Sequence, residues 1–179
     1  VGLEGCRSTS VAELYDLTAQ SYDALYREEQ YSKYGFIEEK GLLGGFKRVL
    51  DAGCGTGLLY SYMVERGLDD FEIYVCLDAS EGMVRIAASR SSDPRFIPVV
   101  AYIENTPAVD EYFDVAYSVT VWDNLEDRSR ALSELRRVAK VVVVTRHHKS
   151  RSEPPPALDG AFREIGFRVD YFYVAPGDR

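Results

Sequence analysis

The sequence predicts an α/β fold, in which a mainly parallel sheet is covered by helices on both faces. Three observations carry that prediction. From Phe46 onward, apolar β-rich runs alternate with segments of helical period. The first run leads straight into a turn dense in glycine, VLDAGCGTGLL. About twenty residues later, a second apolar run ends in another aspartate, Asp78.

The elements follow in order. Residues 1–9 carry no clear pattern. Ser10 and Glu13 then match a capping box, a serine with a glutamate three positions on. The helix it opens would bury Leu14, Leu17, Tyr22, Leu25 and Tyr26, and a second helix is expected over 28–40, stopping at Gly41. FKRVLDA (46–52) reads as a buried strand. Residues 58–65 read as a helix closed by Gly67. FEIYVCLD (71–78) is the second strand, and Ser80 is placed to cap a helix that runs to about Arg90. The third strand is expected over 95–101, the fourth over 113–121, a helix over 125–139 and the fifth strand over 141–145. A proline-rich loop (146–156), a short helix (158–165) and a last strand (167–174) complete the chain, so six strands are countable. Residues 1–45 are expected to form an N-terminal helical segment and residues 46–179 the core, within one structural domain.

Composition narrows the function classes. The formal charge of -8 argues against broad binding to nucleic acid, which requires neutralising phosphates. No apolar run approaches the roughly 20 residues that cross a bilayer, and no basic stretch followed by an apolar one marks a signal peptide, so a cytoplasmic protein with no membrane partner is expected. Cys6, Cys54 and Cys76 lack metal-ligand spacing. No metal site is expected, and the three are read as reduced thiols, Cys54 as a small buried filler.

The glycine turn follows the first strand, where parallel sheets bind ligands. No lysine follows the glycines, which excludes a P-loop. Leu58 stands where a dinucleotide loop needs its third glycine, which disfavours a nicotinamide oxidoreductase. What remains is D-x-G-x-G-x-G. A carboxylate beside the turn repels pyrophosphate and suits an ammonium group. Asp78, ending the second strand, suits the two hydroxyls of a ribose. The pattern describes a nucleoside that carries an amino acid.

VLDAGCGTG, VCLDASEGMVRIA, FDVAYSVTVWDNLED and ALSELRRVAKVVVV resemble, in order, the motifs of class I S-adenosylmethionine-dependent methyltransferases. The resemblance implies a Rossmann-like three-layer sandwich of six or seven strands, with S-adenosylmethionine as cofactor and S-adenosylhomocysteine as product. It implies that Gly53, Gly55 and Gly57 admit the cofactor to the backbone. Asp51 would orient the loop and the ammonium, Asp78 the ribose, and Ala79, Met83 and Ile103 the adenine. YDLTAQSYDALYREEQYSKYG resembles the family's N-terminal lid, with Tyr15 and Tyr22 as hydroxyls over the methionine end and Lys33 as partner of its carboxylate.

Candidate bases lie beyond the fourth and fifth strands: Asp123, His147 and His148. RHHKSR (146–151) is a dense basic run on the same edge, open to an anionic substrate or to solvent alone. The acceptor is unassigned. An RNA or translation-related acceptor, such as tRNA or a translation factor, competes with a small metabolite. The resemblance also leaves room for a small activator subunit or a homodimer. A catalytically silent subunit that binds S-adenosylmethionine is the alternative from a different class.

Overall fold

The computed structural model describes residues 22–177. Helix α1 (Tyr22–Glu39) leads to β1 (Arg48–Ala52), α2 (Leu58–Glu65), β2 (Ile73–Asp78), α3 (Glu81–Ser89) and β3 (Phe96–Val100). A 3-10 turn (Ile103–Asn105) precedes β4 (Val115–Ser118), and another (Trp122–Asn124) precedes α4 (Arg128–Val138). The chain closes with β5 (Val141–His147), α5 (Pro155–Leu158), β6 (Arg163–Arg168) and β7 (Asp170–Pro176). These strands form one sheet in the order β3-β2-β1-β4-β5-β7-β6. The first five are parallel, whereas β7 runs antiparallel to both β5 and β6.

Burial on both faces explains the unbroken apolar runs. Val49, Tyr74, Tyr117 and Val143 face α1 and α2, and Leu50, Leu77, Ala116 and Val142 face α4. The helix starts are set locally. Ser80 accepts a hydrogen bond from the Met83 N–H, as its position predicted, and Asp127 caps α4 by accepting from the Arg130 N–H.

Several expectations change. The capping box and the helix it opens lie outside the described residues. Leu25 and Tyr26, expected buried, are 69% and 43% exposed, because α1 is one helix and they project from its outer side. The segment 158–165 is not a helix. α5 stops at Leu158, and β6 and β7 form a hairpin, linked through Val169 at φ +60°. Pairing with β7 outweighs the weak helical pattern, and it brings the sheet to seven strands. Cys54 and Cys76 are not reduced thiols: they form a disulfide. No helix among the described residues is long and apolar enough to cross a membrane.

Candidate functional site

β1 and β2 end side by side, and the turn after β1 folds back onto the end of β2. The N–H groups of Gly53 and Cys54 both donate to Leu77 O, at 2.7 and 3.0 Å. The Gly55 N–H donates to Asp78 Oδ2 at 2.8 Å, and the Ser80 N–H donates to Asp78 Oδ1 at 2.9 Å. Gly53 adopts φ +79°, and a Cβ there would lie 2.3 Å from Val121 Cγ2. The close approach requires glycine. A Cβ on Gly55, by contrast, would meet nothing within 4 Å, so the backbone there faces open space.

That space is a cleft open to solvent. One wall is Gly53, Gly55, Asp78, Ala79 and Met83. The opposite wall comes from the segments after β3 and β4: Ala101, Tyr102, Ile103 and Glu104, then Val119, Thr120, Val121, Asn124, Leu125 and Glu126. Tyr22, at the start of α1, stands at the rim. Seven sequence-predicted residues therefore share one cleft: Tyr22, Gly53, Gly55, Asp78, Ala79, Met83 and Ile103.

The other predicted residues lie elsewhere. Tyr15 is outside the described residues. Gly57 starts α2 at φ +81°, packed beside Ala87 and Arg90. Asp51 is buried behind the loop and accepts from Tyr74 Oη at 2.8 Å. Burial lifts its carboxyl to about 7, against the Tyr74 hydrogen bond and with the help of the Asp78 charge. Lys33 is fully buried, its Nζ 2.7 Å from Glu29 Oε1, 3.2 Å from Asp170 Oδ1 and 2.9 Å from Thr120 Oγ1.

None of the three candidate bases lines the cleft. Asp123 accepts from the hydroxyls of Ser150 and Ser152. His147 and His148 stack with ring centroids 4.3 Å apart, and His148 Nδ1 lies 2.9 Å from Val169 O. Arg146, the first residue of the basic run, donates to the carbonyls of Ser150 and Ser152 and so ties its own loop.

Sequence reasoning missed Val119, Thr120 and Val121. Thr120 takes φ +63°, a costly conformation for a β-branched residue. Its Oγ1 accepts from Lys33 and its N–H donates to Thr145 Oγ1 at 2.8 Å, while Thr145 Oγ1 donates to the fully buried Asp170 at 2.7 Å. This buried network holds the turn that presses Val121 against Gly53. Its signal in the sequence is two polar residues, Gln30 and Lys33, on the buried face of a helix, and their partner Thr120 is about 90 residues away. α1 is also tied to the glycine loop: Asp23 accepts from Thr56 Oγ1 and pairs with Arg90, which donates to Thr56 O.

The cleft fits an adenosine that carries an amino acid. An open backbone lies beside Gly55, the Asp78 carboxylate stands in the wall, and Met83 and Ile103 supply apolar surface. The model of the methyltransferase domain family matches residues 50–142. A malonyl-[acyl-carrier protein] O-methyltransferase of Pseudescherichia vulneris is 32% identical over 89% of this chain and 61% of its own length. The chain therefore spans about three fifths of that relative. The structure of a SAM-dependent methyltransferase from Aquifex aeolicus superposes with a TM-score of 0.68 at 20% identity, covering 89% of this chain and 96% of that one. A methyltransferase solved in complex with the Haloferax volcanii Trm112 methyltransferase activator superposes with a TM-score of 0.65 at 18% identity, over 73% of this chain and 59% of that one.

Proposed function

The chain belongs to the methyltransferase domain family, and from that premise we propose that it binds S-adenosylmethionine in the cleft and transfers its methyl group to a small metabolite. The observation that carries the choice of acceptor is the charge of the walls. Asp78, Glu104 and Glu126 line the cleft, and no lysine or arginine does so among the described residues. Such walls repel the phosphates of RNA and favour a cofactor bearing a sulfonium and an ammonium.

The bound cofactor supplies an electrophilic methyl carbon on sulfur. The chain supplies alignment and the exclusion of water. Gly53 and Gly55 let the backbone approach the methionine part. From behind the loop Asp51 turns a negative charge toward the ammonium without lining the cleft, and Asp78 accepts from the ribose hydroxyls. Ala79, Met83 and Ile103 enclose the adenine, and Tyr22 covers the methionine end. Thr120 and Val121, held from behind by Lys33 and Asp170, shape the side from which the acceptor approaches. Asp123, His147 and His148 receive no contact with the acceptor in this reading.

A second reading is a translation-related acceptor, methylated with a small activator subunit bound. The likeness to the methyltransferase of the activator complex favours it. Transfer of tritium from methyl-labelled S-adenosylmethionine into fractionated cell extract separates the two. The proposal expects label in the small-molecule fraction without any added subunit. Label confined to RNA or protein would support the second reading. No label, from a chain that binds S-adenosylhomocysteine, would mark a silent binding subunit.

A further inference from the structure

We infer that Cys54 and Cys76 form a reversible redox site that locks the glycine loop onto β2 and couples cofactor affinity to thiol–disulfide exchange. The coupling rests on the reading of the cleft as a cofactor site. Cys54 sits between Gly53 and Gly55, the two loop residues that line the cleft, and Cys76 lies on β2 two positions before Asp78. Their Cα atoms are 5.3 Å apart, within the span a disulfide requires, and the bond closes a segment of 22 residues that contains α2. Without the bond, two glycines at positive φ flank Cys54, and the loop is held to the strand end by single hydrogen bonds from Gly53, Cys54 and Gly55. With it, the glycine loop has a covalent anchor two residues before the Asp78 carboxylate. A ligand that must find this loop ordered binds the locked form better.

The two sulfurs are not equivalent. Cys76 is fully buried and Cys54 is 8% exposed, so exchange enters at Cys54. The thiolate of a small dithiol attacks Cys54 Sγ, and the sulfur–sulfur bond breaks with its electron pair passing to Cys76 Sγ, which takes up a proton. The second thiol of the reductant then displaces Cys54 as a thiolate, which is protonated in turn. The protein gains two electrons and two protons, and the dithiol becomes a cyclic disulfide. A disulfide oxidant runs the same steps backwards.

The test uses the full chain purified without reductant. Alkylation after denaturation, read by mass spectrometry, should leave Cys54 and Cys76 unmodified, and the chain should be about 2 Da lighter than its fully reduced form. Dithiothreitol should then lower the melting temperature by about 5–10 °C. It should speed amide exchange at residues 53–57 and weaken S-adenosylhomocysteine binding about 3- to 10-fold. A Cys54→Ser, Cys76→Ser double variant should show none of these responses to reductant. Alkylation of both cysteines before reduction overturns the site. Equal affinity and equal exchange in the two forms overturn the coupling. If neither form binds S-adenosylhomocysteine, the reading of the cleft fails, and amide exchange alone still decides whether the loop is locked.

Discussion

Asp51 reports on the cleft through its charge. Burial and the Asp78 charge hold its carboxyl near 7, far above the unfolded value of about 3.9. A group whose folded pKa is raised contributes stability that is complete below its unfolded pKa and is lost as pH rises through its folded one. Relative to wild type, Asp51→Asn should therefore gain stability between about pH 4 and pH 7 and level off above, as measured by urea denaturation at each pH. An ammonium placed near Asp51 restores the charged form. S-adenosylhomocysteine affinity should then rise from about pH 6 to pH 8 with release of a proton, read by calorimetry in buffers of different ionisation enthalpy; a flat profile would remove Asp51 from the ammonium contact. At Gly53 the expectation is steric. Gly53→Ala puts a methyl 2.3 Å from Val121 Cγ2 at positive φ, so it should lose stability by about 1–3 kcal/mol and abolish cofactor binding. Gly53, Asp78 and Met83 were legible in the sequence because their roles follow from position in a strand–turn–helix unit. Thr120 and Val121 were not, because the kink that brings them to the cleft depends on Lys33 and Asp170, 87 and 50 residues away.

Between elements, the largest electrostatic commitment joins α1 to the hairpin strand β7. Lys33 and Asp170 are both fully buried, and among the described residues Asp170 Oδ1 has no other partner besides the lysine ammonium. Removing one partner strands a buried charge, a loss of about 3–5 kcal/mol. Lys33→Met should show that loss in urea denaturation, and Asp170→Asn, which keeps the Thr145 contact, should lose less. An effect below about 1 kcal/mol for Lys33→Met would mean that the pair does not hold α1 against the sheet. Helix α3 was readable from its cap and α4 from its apolar stripe, which are local signals, whereas the α4 cap, Asp127, was not read. The β6–β7 hairpin was not. β7 is specified by pairing with β5, and β6 by pairing with β7, and a register shift between Glu164 and Gly166 hides the alternation.

At the scale of the molecule, the doubly wound core was legible because alternating strands and helices admit few topologies. The crossover from β3 to β4 departs from the usual helix: it holds only the 3-10 turn Ile103–Asn105. β3 is therefore an edge strand with Ile97 and Val100 exposed, above a groove lined by Val75, Val99, Pro107 and Val109. Which strand lies at the edge was not legible, since edge position depends on the order of strands in the sheet. Calorimetric titration with S-adenosylhomocysteine, of wild type and of Asp78→Ala, tests most directly the proposal of one S-adenosylmethionine cleft with Asp78 as its ribose anchor. One site per chain is expected in the wild type and at least about tenfold weaker binding in the variant, the loss expected of hydrogen bonds to a charged group. No binding by the wild type, or equal binding by both, would contradict it.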